Sequence, residues 1–446
     1  MTPVAAQPMD RVPDKSWVDR ALSLFTDVRA GEGLTALLMV VNIFLLLICY
    51  SVIKTVREPL ILLGGGAEVR SYTAAAQALT LMGFVPLYSW VATRVDRIKL
   101  LVGISLFFLL NIELFALAVA AGVPYVGVAF FIWVGIFNMS LVAQFWAYAN
   151  DIYSKEAGDR LFPLIVIGQT AGAPLGAFLA GRLFAAGVRP QSILQISAGL
   201  LMAGVVLYLL INPRVTPRAR DRGDALRPGG GFGLVMRSGY LRVIAAMILL
   251  LNGVNTTGEY FVSHLAEAHA RAMAAADPTF NAQAYLGSFA GSYQFWVNVS
   301  AFVLQAFVAS RLVKYQGLRG VLLALPLIAL GSYTIIAAGV GFAVVRWAKT
   351  AENATDYSIM NTAKQLLWLP TSREEKYKAK QAIDTFFVRS GDLLSAAIVF
   401  LGVSFLKLTI DRLALINLAI IVVWIALAFV VLKRHDALVQ RRAEAA

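Results

Sequence analysis

Charge is scarce in this sequence. Only 15% of its 446 residues are Asp, Glu, Lys or Arg, against about 25% in soluble globular domains. With 59% hydrophobic residues, a water-soluble enzyme is excluded. So is a disordered scaffold, which needs low hydrophobicity and high charge. The single cysteine, Cys49, excludes a disulfide framework or a cysteine-built metal site. Three scattered histidines, His264, His269 and His435, argue against a histidine-ligated centre, so no metal or other cofactor is expected. No nucleophile is flanked by a plausible base. Gly64-Gly65-Gly66 lacks the Gly-Lys-Ser/Thr of a phosphate loop and reads as an external turn. The chain is therefore read as a non-enzyme.

What is present in abundance is apolar sequence, with a mean hydropathy of +0.71. A crossing needs about 20 apolar residues to traverse about 30 Å of hydrocarbon. Such runs lie near 35–56, 72–92, 99–121, 125–149, 161–186 and 192–211. A second set lies near 239–261, 284–309, 320–339, 341–368, 382–404 and 411–432. The tenth run is half polar, and hydropathy alone would pass over it. The first 30 residues carry prolines and charges but no apolar core, so no signal peptide is expected; residues 17–30 suit a short surface helix.

The net charge of +13 resembles a nucleic-acid binder's, but in a membrane protein excess Lys and Arg marks cytoplasmic loops. With the N-terminus inside, 27 of the 39 basic residues fall in cytoplasmic segments and six in external ones, Arg70 among the latter. This predicts a multi-pass protein with both termini cytoplasmic, in contact with lipid and not with nucleic acid. The Pro-, Gly- and Arg-rich stretch 213–238 divides the chain. The expected organisation is a cytoplasmic segment 1–34, a six-helix half 35–212, the linker, a six-helix half 239–432 and a tail 433–446. Ala-Thr-Arg-Val at 92–95 recurs as Ala-Ser-Arg-Leu at 309–312, and Ser-Lys-Glu at 154–156 as Ser-Arg-Glu at 372–374, at near-equal offsets. An all-α protein of 12 transmembrane helices in a 6+6, major facilitator-like architecture is predicted, with its site at the midplane between rocking halves. Asp96-Arg97, between the second and third runs, matches the Asp-Arg gating motif of such folds. The small residues Gly168, Gly172, Gly176 and Gly181 suit close helix packing or a moving interface.

Charges inside crossings are costly and mark function by default. The first run carries Tyr50, Lys54 and Arg57 on one face, with Glu58 adjacent. The tenth carries Arg346, Lys349, Glu352, Asp356 and Lys364, which fall within an arc of about 120° at 100° per residue. Glu113, Asn252, Asn255, Glu259, Gln294, Asn298, Asp384, Arg389 and Asp392 are also placed inside runs. Lys and Arg suit phosphate or carboxylate groups. Six bases stand against seven acids, so some pair, as static bridges or as gates. Lys54, Arg57 and Lys364 either touch a small-molecule anion or only pair, and Arg346 and Lys349 are counted with them as candidate substrate contacts. Asp384 and Arg389 are expected to pair, and Glu113 and Glu259 are candidates for proton coupling.

One stretch carries a family likeness. Tyr357-Ser-Ile-Met-Asn-Thr-Ala-Lys364-Gln-Leu-Leu-Trp-Leu-Pro370, then Arg373-Glu-Glu-Lys-Tyr-Lys-Ala-Lys380 and Asp384 to Arg389, resembles the ATP/ADP antiporters of plastids and intracellular bacteria. Phe145-Trp146-Ala-Tyr-Ala-Asn150 and Tyr50-Ser-Val-Ile-Lys54-Thr-Val-Arg57-Glu58 are similar to that family's counterparts. The resemblance implies exchange of adenine nucleotides by a monomer. It carries basic roles to Lys54, Arg57 and Lys364 and an acidic one to Glu259, with Tyr50, Asn150 and Tyr357 joining the substrate contacts. Arg57-Glu58 stands where the family has lysine and aspartate, and no acid occurs in 133–140, where the family has a glutamate. The Glu-Glu-Lys-Tyr-Lys-Ala-Lys loop is similar to that of free-living bacterial homologues, which implies the inner membrane. A proton-coupled carrier of another organic anion is the alternative expectation.

Overall fold

The computed structural model describes residues 15–92, 95, 97–215, 230–372 and 374–445. Among these, all regular structure is helical. After the short α1, Trp17–Leu22, comes α2, Gly33–Ala92, of 60 residues. A straight helix of that length would run about 90 Å, three membrane thicknesses. It breaks at Gly66, whose φ of 81° and ψ of 178° favour a residue without a Cβ. The external turn expected at Gly64-Gly65-Gly66 is thus a reversal at Gly66 alone; the helix continues through Gly64 and Gly65.

The chain continues through α3 (Arg97–Ala120), α4 (Val126–Ile152), α5 (Lys155–Ala185) and α6 (Pro190–Ile211). Then follow α7 (Gly231–Arg237), α8 (Gly239–Ala276), α9 (Ala282–Val303) and α10 (Ser310–Ala337), the last broken at Gly317 with φ 60°. The remainder is α11 (Phe342–Thr355), α12 (Asn361–Leu367), α13 (Lys380–Ala382), α14 (Val388–Val399) and α15 (Ile410–Ala445). A π-helical segment, Asp356–Met360, joins α11 to α12.

Nine helical stretches among the described residues are long and apolar enough to cross a membrane. Two of them, Gly33–Val85 and Ala282–Ala337, run 53 and 56 residues and contain the two glycine breaks. The stretch Phe342–Leu367 is not among the nine; it carries the polar stripe.

Two cores are visible. One runs from Met39 to Ile211 and is built from α2 to α6. The other runs from Val235 to Leu432, and Ile61, Leu62, Ala67 and Phe131 of the first six helices pack into it. All four lie near the Gly66 end of the bundle, so the two helix sets are joined there. Cross-set hydrogen bonds follow suit: the Ala67 amide donates to Glu267 Oε2 at 2.8 Å, Tyr260 donates to Glu68 at 3.0 Å, and Tyr72 Oη meets Ser404 Oγ at 2.9 Å. The small residues of α5 serve packing. A Cβ on Gly168, Gly172 or Gly176 would come within 2.6 Å of the Val40, Phe44 or Ile48 carbonyl of α2. Gly181 instead meets Gly291 of α9 across the two sets.

At the opposite end, α7 closes on Lys378 and Ala382. A cavity of about 490 Å³ lies between α2, α4, α7 and the start of the eleventh run, lined by Leu81, Met139, Phe232, Asp384 and Arg389 among others. The bundle is closed at the Gly66 end and open at the linker end. Asp96 lies outside the described residues, as do Arg373 and the Arg97 side chain.

Candidate anion-binding centre

In the first limb of α2, before the Gly66 break, Lys54 Nζ donates to Gln294 Oε1 of α9 at 3.0 Å. The phenols of Tyr50 and Tyr357 stand beside it. Tyr357 is 48% exposed, although it sits in the middle of a crossing and amid charged groups. Among the described residues, Lys54 has no carboxylate within ion-pair distance. It is a cation held by a neutral amide.

One helical turn further, charge is densely paired. Arg57 bonds Glu58, and its guanidinium lies 4.0 Å from the centroid of the Phe131 ring. Arg70 Nε donates to Glu58 Oε2 at 2.7 Å, and Arg70 Nη2 lies 3.7 Å from Glu259 Oε2 of α8. Glu259 also accepts from Tyr293 at 3.0 Å and Asn353 at 2.6 Å. Arg70, expected in an external segment, is 7% exposed and stands inside this network. It lies beyond the apolar run, and only the reversal at Gly66 folds it back onto Glu58. Arg70 and Asn353 were both missed as site residues. Asn353 lies on the same stripe as Lys349 and Asp356, so its position was a readable signal.

The remaining expected residues separate into pairs. Lys349 is fully buried, donating to Glu352 at 2.7 Å and Asn255 at 3.0 Å. Lys364 meets Asp356 at 3.3 Å, and Asn255 meets the same carboxylate at 3.5 Å. Arg389 pairs with Asp392 at 3.4 Å, not with Asp384 as expected; three residues separate the first pair on one helix face, and Asp384 instead lies exposed at the open cavity. Asn252 and Thr256 also donate to Asp392, each at 2.8 Å. Arg346 stands apart, in a pocket with Phe289, Ser292 and Trp347. Asn150 is exposed near the end of α4, and Glu113, on α3, makes no ion pair among the described residues. Phe145 is buried in the first core, and Trp146 donates to Gln169 at 3.1 Å. No group of three or more potential metal ligands occurs among the described residues.

The fold is shared with solved transporters. The nucleoside transporter NupG matches 90% of this chain and 98% of its own at 14% identity, with a TM-score of 0.63. A bacterial homologue of the iron transporter ferroportin, in an inward-facing state, matches 89% and 98% at 15% identity, with a TM-score of 0.59. Apolar helices and this architecture define a multi-pass membrane protein with a major facilitator-like fold. Within that class, residues 328–435 match the family model of the TLC ATP/ADP transporters. ADP,ATP carrier protein 1 of Chlamydia trachomatis is 23% identical over 337 residues, 65% of this chain and 62% of that relative. The carrier of the same name from Chlamydia pneumoniae is 23% identical over 65% of this chain and 64% of its own length. The matched stretch thus spans less than two thirds of these relatives.

Proposed function

We propose that this protein is a secondary transporter that exchanges adenine nucleotides across the membrane by alternating access. The observation that carries this is Lys54: a largely buried cation in the first limb of α2, held by a neutral amide and free of a carboxylate among the described residues. A phosphate there gains a charge-assisted bond without breaking an ion pair. Tyr50 and Tyr357 offer ring faces for the base. The substrate class follows the names of the matched family and carriers.

Lys364 is the second candidate contact, since its 3.3 Å bond to Asp356 is only partly buried and open to exchange for a phosphate. Arg57, clasped by Glu58, and Lys349, sealed with Glu352, act as structural counter-charges in this reading. The α2 links that reach the second helix set include Lys54 to Gln294 and Arg70 to Glu259. A ligand that draws Lys54 away from Gln294 loosens the closed end, which couples binding to reorientation.

The basic bias of the linker-end segments supports an orientation in a bacterial inner membrane with that end and both termini on the cytoplasmic side and the cavity facing inward. The two helix sets, 35–212 and 239–432, act as the moving halves of a monomer.

Uptake of labelled ATP into proteoliposomes tests the proposal. Vesicles preloaded with ADP should take up ATP, empty vesicles should not, and Lys54→Gln should lose uptake while remaining folded by circular dichroism. Equal uptake into empty vesicles, driven by a proton gradient, would replace exchange with the proton-coupled reading, for which Glu259 is the candidate group.

A further inference from the structure

Arg346 is not part of the Lys54 centre. It lies four residues into α11, and every residue lining its pocket of about 670 Å³ comes from α8, α9, the start of α11 or Gly341 before it. The Lys54 centre, by contrast, is shared between both helix sets. One Arg346 nitrogen, Nη2, donates to Ser292 Oγ at 2.6 Å. Its Nε is buried and has no partner among the described residues, and no carboxylate lies within ion-pair distance. A guanidinium in a crossing is expensive unless something negative completes it.

A second donor set converges on the same pocket. The 14-residue α11 begins there, and its cap, Gly341, has no side chain to bond the first amides. Those amides and the positive end of the helix face the pocket lined by Gly341, Phe342 and Ala343. The walls are aromatic: the guanidinium carbon lies 5.4 Å from the ring centroids of both Phe289 and Trp347. Trp347 stands edge to face with Trp296, both of them outward-facing. Planar aromatics beside an arginine near a helix start are the chemistry of the membrane–water boundary.

We infer that this pocket is a second anion site, taking an organic phosphate whose phosphate sits between Arg346, Ser292 and the start of α11, and whose remainder lies against Phe289 and Trp347. The same chemistry is offered by a phospholipid headgroup from the bilayer and by a soluble phosphate compound. The site depends on neither the exchange reading nor Lys54.

Native mass spectrometry of the detergent-purified full chain separates the cases. The probes are phosphatidylglycerol, the chain-matched diacylglycerol that lacks the phosphate, and inorganic pyrophosphate. Wild type should bind phosphatidylglycerol or pyrophosphate in preference to diacylglycerol, and Arg346→Gln should weaken that binding roughly tenfold, the loss of about one charge-assisted bond. Arg346→Lys should retain part of it. Preference for the lipid identifies a headgroup as the source; preference for pyrophosphate identifies a soluble phosphate. Equal binding of diacylglycerol, or binding undiminished in a folded Arg346→Gln protein, would overturn the site.

Discussion

Arg70 stands between two carboxylates from different helices, Glu58 of α2 and Glu259 of α8. Both acids are largely buried, so removing the cation leaves charge unpaired in a poor dielectric. Arg70→Gln should destabilise the fold by about 3–5 kcal/mol, and adding Glu259→Gln should recover part of the loss. Thermal unfolding followed by intrinsic fluorescence checks both; an Arg70→Gln protein as stable as wild type would remove Arg70 from the network. Outside the membrane, Asp19 offers a pH test. Burial raises its pKa, but bonds from Ser16 and from the Gly31, Ser16 and Gly33 amides prevail and hold it at about 2. A carboxylate held below its ordinary value stabilises the fold fully above the unfolded pKa and loses that contribution as pH falls through the folded one. Wild type should therefore exceed Asp19→Asn in stability at about pH 7, and the gap should narrow progressively below about pH 4. Lys54 was readable at this scale because a lone cation in an apolar run is conspicuous. Arg70 was not, because its partner lies 12 residues back across a chain reversal that hydropathy does not register.

At the scale of elements, the helices follow from apolar run length, and the places where they touch follow from glycine. Gly172 and Gly176 of α5 let the α2 backbone approach within a distance no Cβ would permit. Gly176→Val should therefore lower stability by about 1–3 kcal/mol, the cost of overpacking. Gly103 of α3 has nothing within 4 Å of an added Cβ, so Gly103→Val is the matched control and should be close to neutral. Equal melting temperatures for the two variants would contradict this packing. The polar stretch Phe342–Leu367 is one that hydropathy alone passes over: its Lys349 bonds Asn255, and its Asn353 bonds Glu259 and Tyr293, all inside the bundle. Its periodic stripe was visible in the sequence, whereas the π-helical turn at Asp356–Met360 was not, being set by tertiary packing.

At the scale of the whole molecule, one end is tied and the other is open. If transport requires the Gly66 end to part, a bridge across it must stop turnover. Tyr72 and Ser404 meet there at 2.9 Å. Tyr72→Cys with Ser404→Cys, joined by a short bifunctional thiol reagent, should abolish exchange, while each single variant keeps it. The native Cys49 is fully buried and bonded to the Ser197 carbonyl, so it does not compete for the reagent. Sustained exchange by a fully cross-linked protein would show that this end need not open.

The sequence by itself determined that this chain lives in a membrane, that it is helical, and that charge is concentrated on its first, seventh, tenth and eleventh runs. Those conclusions follow from the transfer energies of single residues and their helical spacing, which are local quantities. Which charge pairs with which was decided only by the tertiary structure. Arg389 chose Asp392 over Asp384, Arg70 joined Glu58 to Glu259, and Arg346 was set apart in its own pocket. An ion pair depends on a distance between two side chains. Arg70 and Glu259 are 189 positions apart, and only the packing of α2 against α8 brings them to 3.7 Å.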